Sequence, residues 1–267
     1  MNIGIIGIGN MGEAILSGLL KGKVVGPQQV YVFDASRELM QLRQEQYGMH
    51  LARDYQNLLE VCEYLILTVK PNVYPQVLAE ISPYLDAKHF ILSIAPGFDF
   101  ERLKGHLPDD FDKIVLFMSN TAAKIGKAIT AAAFSPEVNE QNKEKIIRLF
   151  ESFGSFLEID EKQLPAITSV IGSAPAIVYM LIESLMQGAV LEGIPARQAQ
   201  ELAAHIVASS AAMVLENNEH PAILRDRICS PAGTTIEGVA YLEKEGFSGS
   251  IIEAIHRIAE KAGKMKK

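Results

Sequence analysis

The sequence predicts an α/β fold: a Rossmann-type N-terminal domain with a parallel sheet, followed by an all-α C-terminal domain. Three observations predict it. Short apolar runs alternate with helical patterns through the first half of the chain, as in a parallel sheet flanked by helices. The first of these runs ends in Gly7-Ile8-Gly9-Asn10-Met11-Gly12 and then opens a helix. Beyond about Asp160 no strand-like run follows, and apolar and alanine residues recur at helical spacing. The domain boundary is therefore expected near residue 160, with domains 1–160 and 161–267.

The elements read in order as follows. Asn2 to Ile6 is a strand, and a helix runs from about Met11 to Lys21. Val30 to Phe33 is a second strand and Glu38 to Tyr47 a helix. Tyr64 to Val69 is β-rich and stops at Lys70-Pro71; Phe90 to Ile94 stops at Pro96-Gly97; Ile114 to Met118 stops at Ser119-Asn120. Ile129 to Phe134 and Phe156 to Ile159 extend the sheet. Leu164 to Leu191 is a long apolar helical stretch that Pro175 should bend or break. Ala196 to Glu216, Pro221 to Ile228, Thr235 to Glu245 and Ser248 to Lys264 complete the helices, with Ser248 placed to cap the last.

Composition narrows the function. Apolar residues make up 48% of 267 residues, an ordinary globular value, and the formal net charge is -7. An acidic chain with no long basic run is a poor nucleic-acid binder. An anionic substrate must be held by local donors, because the overall field repels it. The N-terminus reads as a strand rather than a secretion signal, and its apolar stretch is interrupted by Asn10, Gly12 and Glu13. Cys62 and Cys229 make neither a disulfide framework nor a metal site, and the six histidines lack ligand spacing. A cytoplasmic, metal-free protein that binds no nucleic acid and no membrane is expected.

The glycine pattern carries the chemistry. In a strand-to-helix turn, Gly7 permits the tight turn, Gly9 lets backbone approach a pyrophosphate, and Gly12 allows close helix–strand packing. The helix start at Asn10 and Met11 then offers free N–H groups to the phosphates. Asp34 ends the second strand, where an acid accepts hydrogen bonds from an adenosine ribose and favours NAD. The alternative is that Asp34 caps the next helix. Ser36 and Arg37 suit a 2′-phosphate instead, so NADH and NADPH both remain open.

Ligands of open parallel sheets bind outside the carboxyl ends of the strands. Three tripeptides stand there: Val69-Lys70-Pro71, Ala95-Pro96-Gly97 and Ser119-Asn120-Thr121. Lys70 is placed for a phosphate or ribose, or is simply solvated. Asn120 is placed for the nicotinamide side, or is a turn former. In the helical half, Ser230-Pro231-Ala232-Gly233-Thr234-Thr235 precedes a helix. The N–H groups of Gly233, Thr234 and Thr235, with the hydroxyls of Ser230 and Thr235, make a carboxylate pocket; the other reading is a capping segment with Thr234 or Thr235 as the cap. Gln163 to Val214 is more apolar than a small helical layer can hide, so a dimer is expected.

Taken together these segments resemble the pyrroline-5-carboxylate reductase family from Gly4 to about Gly249. The match includes the glycine fingerprint, Asn57-Leu58-Leu59-Glu60, Val69-Lys70-Pro71, Ser119-Asn120-Thr121, Gly172-Ser173-Ala174-Pro175-Ala176, His220-Pro221 and Cys229-Ser230-Pro231-Ala232-Gly233-Thr234-Thr235. The resemblance implies reduction of the cyclic imine 1-pyrroline-5-carboxylate to L-proline with NADPH or NADH. It implies a dimerising helical domain, with further assembly to a decamer. It places Asn57, Lys70 and Asn120 near the cofactor, Ser230, Gly233, Thr234 and Thr235 on the substrate carboxylate, and Thr168 facing the imine nitrogen.

The chain departs from the family pattern at Ser119 and Ala122, where prolines are usual, at Ala174 and Ala232, where glycines are usual, and at Ile177. A protonated iminium is already electrophilic, so no strong catalytic acid is needed, in keeping with the absence of a His–carboxylate constellation. Rival readings are a reductase of another cyclic imine, a β-hydroxyacid enzyme and a dinucleotide sensor without catalysis. The second would want a lysine between Leu164 and Gly193, and none is there.

Overall fold

A computed structural model describes residues 1–264. An eight-stranded sheet forms its centre, in the order β3-β2-β1-β4-β5-β6-β7-β8. The strands are β1 (Ile3–Ile6), β2 (Val30–Phe33), β3 (His50–Leu51), β4 (Tyr64–Leu67), β5 (Phe90–Ser93), β6 (Ile114–Met118), β7 (Ala128–Phe134) and β8 (Gly154–Glu158). Helices α1 (Asn10–Lys21), α2 (Arg37–Tyr47), α3 (Tyr55–Val61), α4 (Tyr74–Ile81), α5 (Phe100–Lys104) and α6 (Glu140–Glu151) connect them. β1, β4 and β5 are buried at every position, as strands covered on both faces must be. The pairs are parallel except β6–β7. β6 and β7 are joined by the short 3-10 turn Thr121–Ile125, too brief for a parallel crossover. Parallel register puts the ends of β1, β4 and β5 side by side: Ile6 lies opposite Leu67, and Leu67 opposite Ser93.

The five main strands and the two extending strands stand where the sequence pattern expects them. β3, α3, α4, α5 and α6 were not read from the sequence: the first four are short, and α6 is mostly polar, burying only Ile146, Leu149 and Phe150. After β8 come α7 (Leu164–Ile167), a π-helical turn (Thr168–Ser173), α8 (Ala174–Leu191), α9 (Ala196–Asn217), α10 (Pro221–Ile228), α11 (Thr234–Lys244) and α12 (Phe247–Lys264). Pro175 does not break the long apolar stretch: helical structure runs on from Leu164 to Leu191 through the widened π turn, and Pro175 sits in the first turn of α8 just after it. Ser248 does not cap α12. It lies inside that helix and donates to Glu243 Oε1 at 2.7 Å.

By compactness the chain divides into Met1–Gly172 with Ala259 onward, and Ser173–Ile258. The sheet itself ends at Glu158, close to the boundary read from the sequence, but residues 161–172 group with the sheet unit. In α8 to α12 only Ala199 and Ala203 are buried among the described residues. Large apolar side chains stay open to solvent, including Met180, Leu191, Leu215 and Ile252.

Among the described residues the sheet unit contains one buried carboxylate. Glu13, 6% exposed on α1, accepts from Lys124 Nζ at 2.8 Å and Tyr47 OH at 3.0 Å, and pairs with Arg43 Nη2 at 2.6 Å. Burial opposes its ionisation, but the Lys124 and Tyr47 hydrogen bonds and the charges of Arg43 and Lys124 outweigh it and hold the carboxyl below the ordinary glutamate value. A depressed folded-state value stabilises the fold above the unfolded value and loses that contribution as pH falls through the folded one. Glu13→Gln should therefore cost stability near neutral pH, and its deficit should shrink on acidification below about pH 4.3. Urea unfolding of both proteins across that range checks this; a deficit that stays constant into strong acid contradicts it.

Candidate active site

The glycine fingerprint forms a helix-opening cradle. Gly7 takes φ +94°, which excludes other residues, and an added Cβ would strike Val69 Cγ1 at 2.9 Å. At Gly12 an added Cβ would lie 2.1 Å from Gly7 O, so α1 closes on the turn only with glycine there. Gly9 is different. Nothing lies within 4 Å of an added Cβ. That open space above the backbone is what a pyrophosphate needs, so this cradle fits a dinucleotide. Gly9 caps α1 with no side-chain acceptor, which leaves the first-turn amides at Asn10 and Met11 turned to a ligand. Asn10 is exposed and Met11 packs partly into the core.

Asp34 does not cap α2. Ser36 does, accepting from Leu39 N at 3.2 Å. The Asp34 carboxylate instead accepts from Ile8 N at 2.7 Å and Ser36 N at 2.9 Å, tying the glycine turn to the end of β2. A groove beside it is lined by Phe33, Asp34, Arg37, Met40, Leu51 and Arg53. Arg37 and Arg53 are both exposed there. Asn57, in the first turn of α3, accepts from Arg53 N at 3.3 Å and so orders the segment bearing that arginine.

At the next strand end, Val69 packs against Gly7, while Lys70 is exposed and precedes a 3-10 turn begun by Pro71. Thr68, which sequence reading passed over, donates to Gly7 O at 2.5 Å. Its only sequence signal was a hydroxyl at the end of a β-rich run. Asn120 follows β6. Its Oδ1 accepts from Ala122 N at 3.2 Å, capping the 121–125 turn, and its Nδ2 donors have no partner among the described residues. Ser119, where a proline is usual, pairs its hydroxyl with Thr130 Oγ1 at 2.9 Å, and both are buried. Thr168 is buried in the sheet unit and donates to Leu164 O at 2.7 Å.

The second unit holds the other predicted cluster. Gly233 caps α11 without a side-chain acceptor, so neither Thr234 nor Thr235 is the cap. The first-turn amides of α11 are left without a side-chain cap, with Ser230, Thr234 and Thr235 exposed around them. An added Cβ at Gly233 would meet Ser230 Oγ at 2.3 Å, so glycine is what lets that hydroxyl lie over the helix start. The turn is closed by Gly233 N to Ser230 O at 3.0 Å, and Ala232 sits at φ +56°. Cys229 and Cys62 are free thiols; burial pushes Cys62 up to about 12, out of reactive range.

A strand–glycine turn–helix cradle at the carboxyl edge of a parallel sheet, with an acid at the next strand end, defines an NAD(P)H-dependent oxidoreductase. Known sequences agree and narrow the class. Residues 2–97 match the model of NADP oxidoreductase, coenzyme F420-dependent, and residues 161–265 that of pyrroline-5-carboxylate reductase dimerisation. The pyrroline-5-carboxylate reductase of Escherichia coli K12 is 38% identical over 265 residues, covering 99% of this chain and 98% of that one. The crystal structure of Plasmodium falciparum pyrroline carboxylate reductase with NADP bound superposes with a TM-score of 0.92 at 27% identity, over 100% and 98% of the two chains. The 1-pyrroline-5-carboxylate reductase of Streptococcus pyogenes gives 0.89 at 33% identity over 99% and 98%. With full-length identity of this order, the chain belongs to the pyrroline-5-carboxylate reductase family. The dimerisation match covers the exposed apolar helices α8 to α12. It also covers Glu161–Leu191, which by length and composition alone would suffice for a membrane span.

Ala232 stands where a turn after proline requires positive φ. A non-glycine residue there costs about 1–2 kcal/mol, partly offset by the lower entropy of unfolded alanine relative to glycine. Ala232→Gly should raise stability by roughly 0.5–1 kcal/mol. Thermal unfolding measures it, and a destabilised variant would show that the methyl makes compensating contacts.

Proposed function

We propose that this protein reduces 1-pyrroline-5-carboxylate to L-proline with NADPH or NADH, as a homodimer that assembles further toward a decamer, in the cytoplasm. The observation that carries this reading is that each unit has a helix start free of any side-chain cap: at Gly9, read as a dinucleotide cradle, and at Gly233, read as an anion cradle. The apolar faces of α8 and α9 support assembly, because exposed apolar surface of this extent marks an interface.

The residues divide the work. Gly7, Gly9, Asn10, Met11 and Gly12 present backbone to the pyrophosphate. Asp34, Ser36 and Arg37 meet the adenosine ribose, with Asn57 ordering the neighbouring Arg53 segment. Val69, Lys70 and Pro71 line the next strand end, and Asn120 offers its free Nδ2 to the nicotinamide side. When bound, the dihydronicotinamide supplies the hydride. Ser230, Gly233, Thr234 and Thr235 grip the substrate carboxylate, and that grip supplies the orientation that reaction needs. Thr168 has its own proton committed to Leu164 O, so its oxygen presents lone pairs to an iminium N–H.

Two measurements test the halves separately. Thr235→Val keeps shape and removes the hydroxyl, so kcat/KM for the imine should fall ten- to a hundredfold, about 1.5–3 kcal/mol for a charge-assisted bond, with dinucleotide affinity unchanged. A normal KM in that variant would move the carboxylate elsewhere. A carboxylate cannot bind a 2′-phosphate, and Arg37 is an exposed cation in the groove beside Asp34, so 2′-phosphate recognition falls to Arg37. Arg37→Ala should raise KM for NADPH about tenfold and leave NADH nearly untouched. Equal changes for both cofactors would remove Arg37 from the 2′-phosphate site.

A further inference from the structure

We propose that Glu13 is a positioning residue for the dinucleotide: one buried carboxylate ties together the segments assigned above to the adenosine ribose, the pyrophosphate and the nicotinamide. The inference rests on that assignment, and its basis is geometric. Glu13 follows Gly12 in the first turn of α1, the helix that opens the pyrophosphate cradle. Arg43 and Tyr47 lie on α2, whose first turn carries Arg37 behind the Ser36 cap. Lys124 lies in the 121–125 turn that Asn120 caps. Glu13 meets all three donors at hydrogen-bond distance.

The contact with the 121–125 turn is built along a stripe of α1. Glu13, Ser17 and Lys21 succeed one another at one-turn intervals on the same face. Ser17 Oγ donates to Lys124 O at 3.3 Å, and Lys21 Nζ to the same oxygen at 2.8 Å. Gly18 lets the helix come this close, since an added Cβ would lie 2.7 Å from Ala123 O. The Ser119–Thr130 pair pins the other side of the same hairpin. Asn120 is thus held from α1 and from β7, in a loop that lacks both prolines usual in this family.

Lys124 itself is half-exposed, with 51% of its side chain open. An ion pair to so exposed a partner adds little stability. Its consequence is placement of the turn. A carboxylate suits this task because its two oxygens accept from several donors at once, whereas a carboxamide would turn N–H groups toward two cations.

The test uses the full-length enzyme, with steady-state kinetics on the imine and NADPH binding followed by nicotinamide fluorescence. Lys124→Met removes only the arm to the nicotinamide-side turn. It should lower kcat about three- to tenfold while NADPH affinity changes less than about twofold. Lys124→Arg should recover most of kcat, which a merely structural loss would not predict. Glu13→Gln should lower kcat and also weaken NADPH binding about five- to tenfold, and adding Lys124→Met to it should cost little more, because both act through one contact. Should Glu13→Gln fail to fold, the two Lys124 variants decide alone. Wild-type kcat in Lys124→Met overturns the proposal, as do multiplicative effects in the double variant. Gly9→Val and Asn120→Ala serve as references. If they lose NADPH binding and kcat respectively while Lys124→Met is normal, the positioning role falls and the dinucleotide reading stands. If they too are normal, both fall.

Discussion

The structure depends on how closely α1 approaches the end of β1. Gly12 leaves no room for a Cβ against Gly7 O, and Gly7 adopts a backbone conformation reserved for glycine. Once these two positions are glycine, the helix start must point along the carboxyl edge of the sheet, and its unpaired amides face outward at Gly9. Thr68, just after β4, and Asp34, just after β2, then fasten the same turn from either side, through Gly7 O and Ile8 N. Segments at the ends of three adjacent strands thus converge on one turn and set its shape without any ligand. Preorganisation of this kind lowers the cost of binding.

The hairpin after β6 shows how a departure from a family pattern can be absorbed. Prolines restrict backbone freedom covalently. Ser119 achieves restriction by a buried hydroxyl pair with Thr130, whose partner position is dictated by the antiparallel register of β6 and β7. Asn120 then satisfies the turn with its oxygen and keeps its nitrogen free. The turn-forming role is thus met by the oxygen, and because a carboxamide has an acceptor at one corner and donors at the other, the nitrogen is left for the nicotinamide-side role proposed above.

The helical unit obeys a different constraint. Its helices bury only two alanines between them among the described residues and leave long aliphatic side chains in solvent. A chain that spends its apolar residues in this way needs a second surface to cover them, and the dimerisation match lies over these helices. The helix start at Gly233, to which we assign the substrate carboxylate, belongs to the same unit as these helices.

The sequence by itself determined the sheet-and-helix alternation, the glycine turn and the Ser230–Thr235 turn, because these are local: periodicity, φ requirements and missing side chains act within a few residues. It also made the family resemblance plain through motifs in order. What it left open was every contact between distant segments. Asp34 read as a ribose acceptor with a helix cap as the alternative, until Ser36 proved to be the cap and Ile8 N a partner of Asp34. Thr68 showed only a hydroxyl at the end of a β-rich run, Arg53 showed nothing, and the Glu13–Lys124 pair carried no signal because these residues, 111 apart, meet only when the β6–β7 hairpin lies on α1. Ser248 looked like a cap by residue type, yet the helix begins one residue earlier and its hydroxyl turns to Glu243. Tertiary structure decided these points because a polar side chain takes whichever partner the fold brings within hydrogen-bond reach, and sequence spacing does not encode that distance.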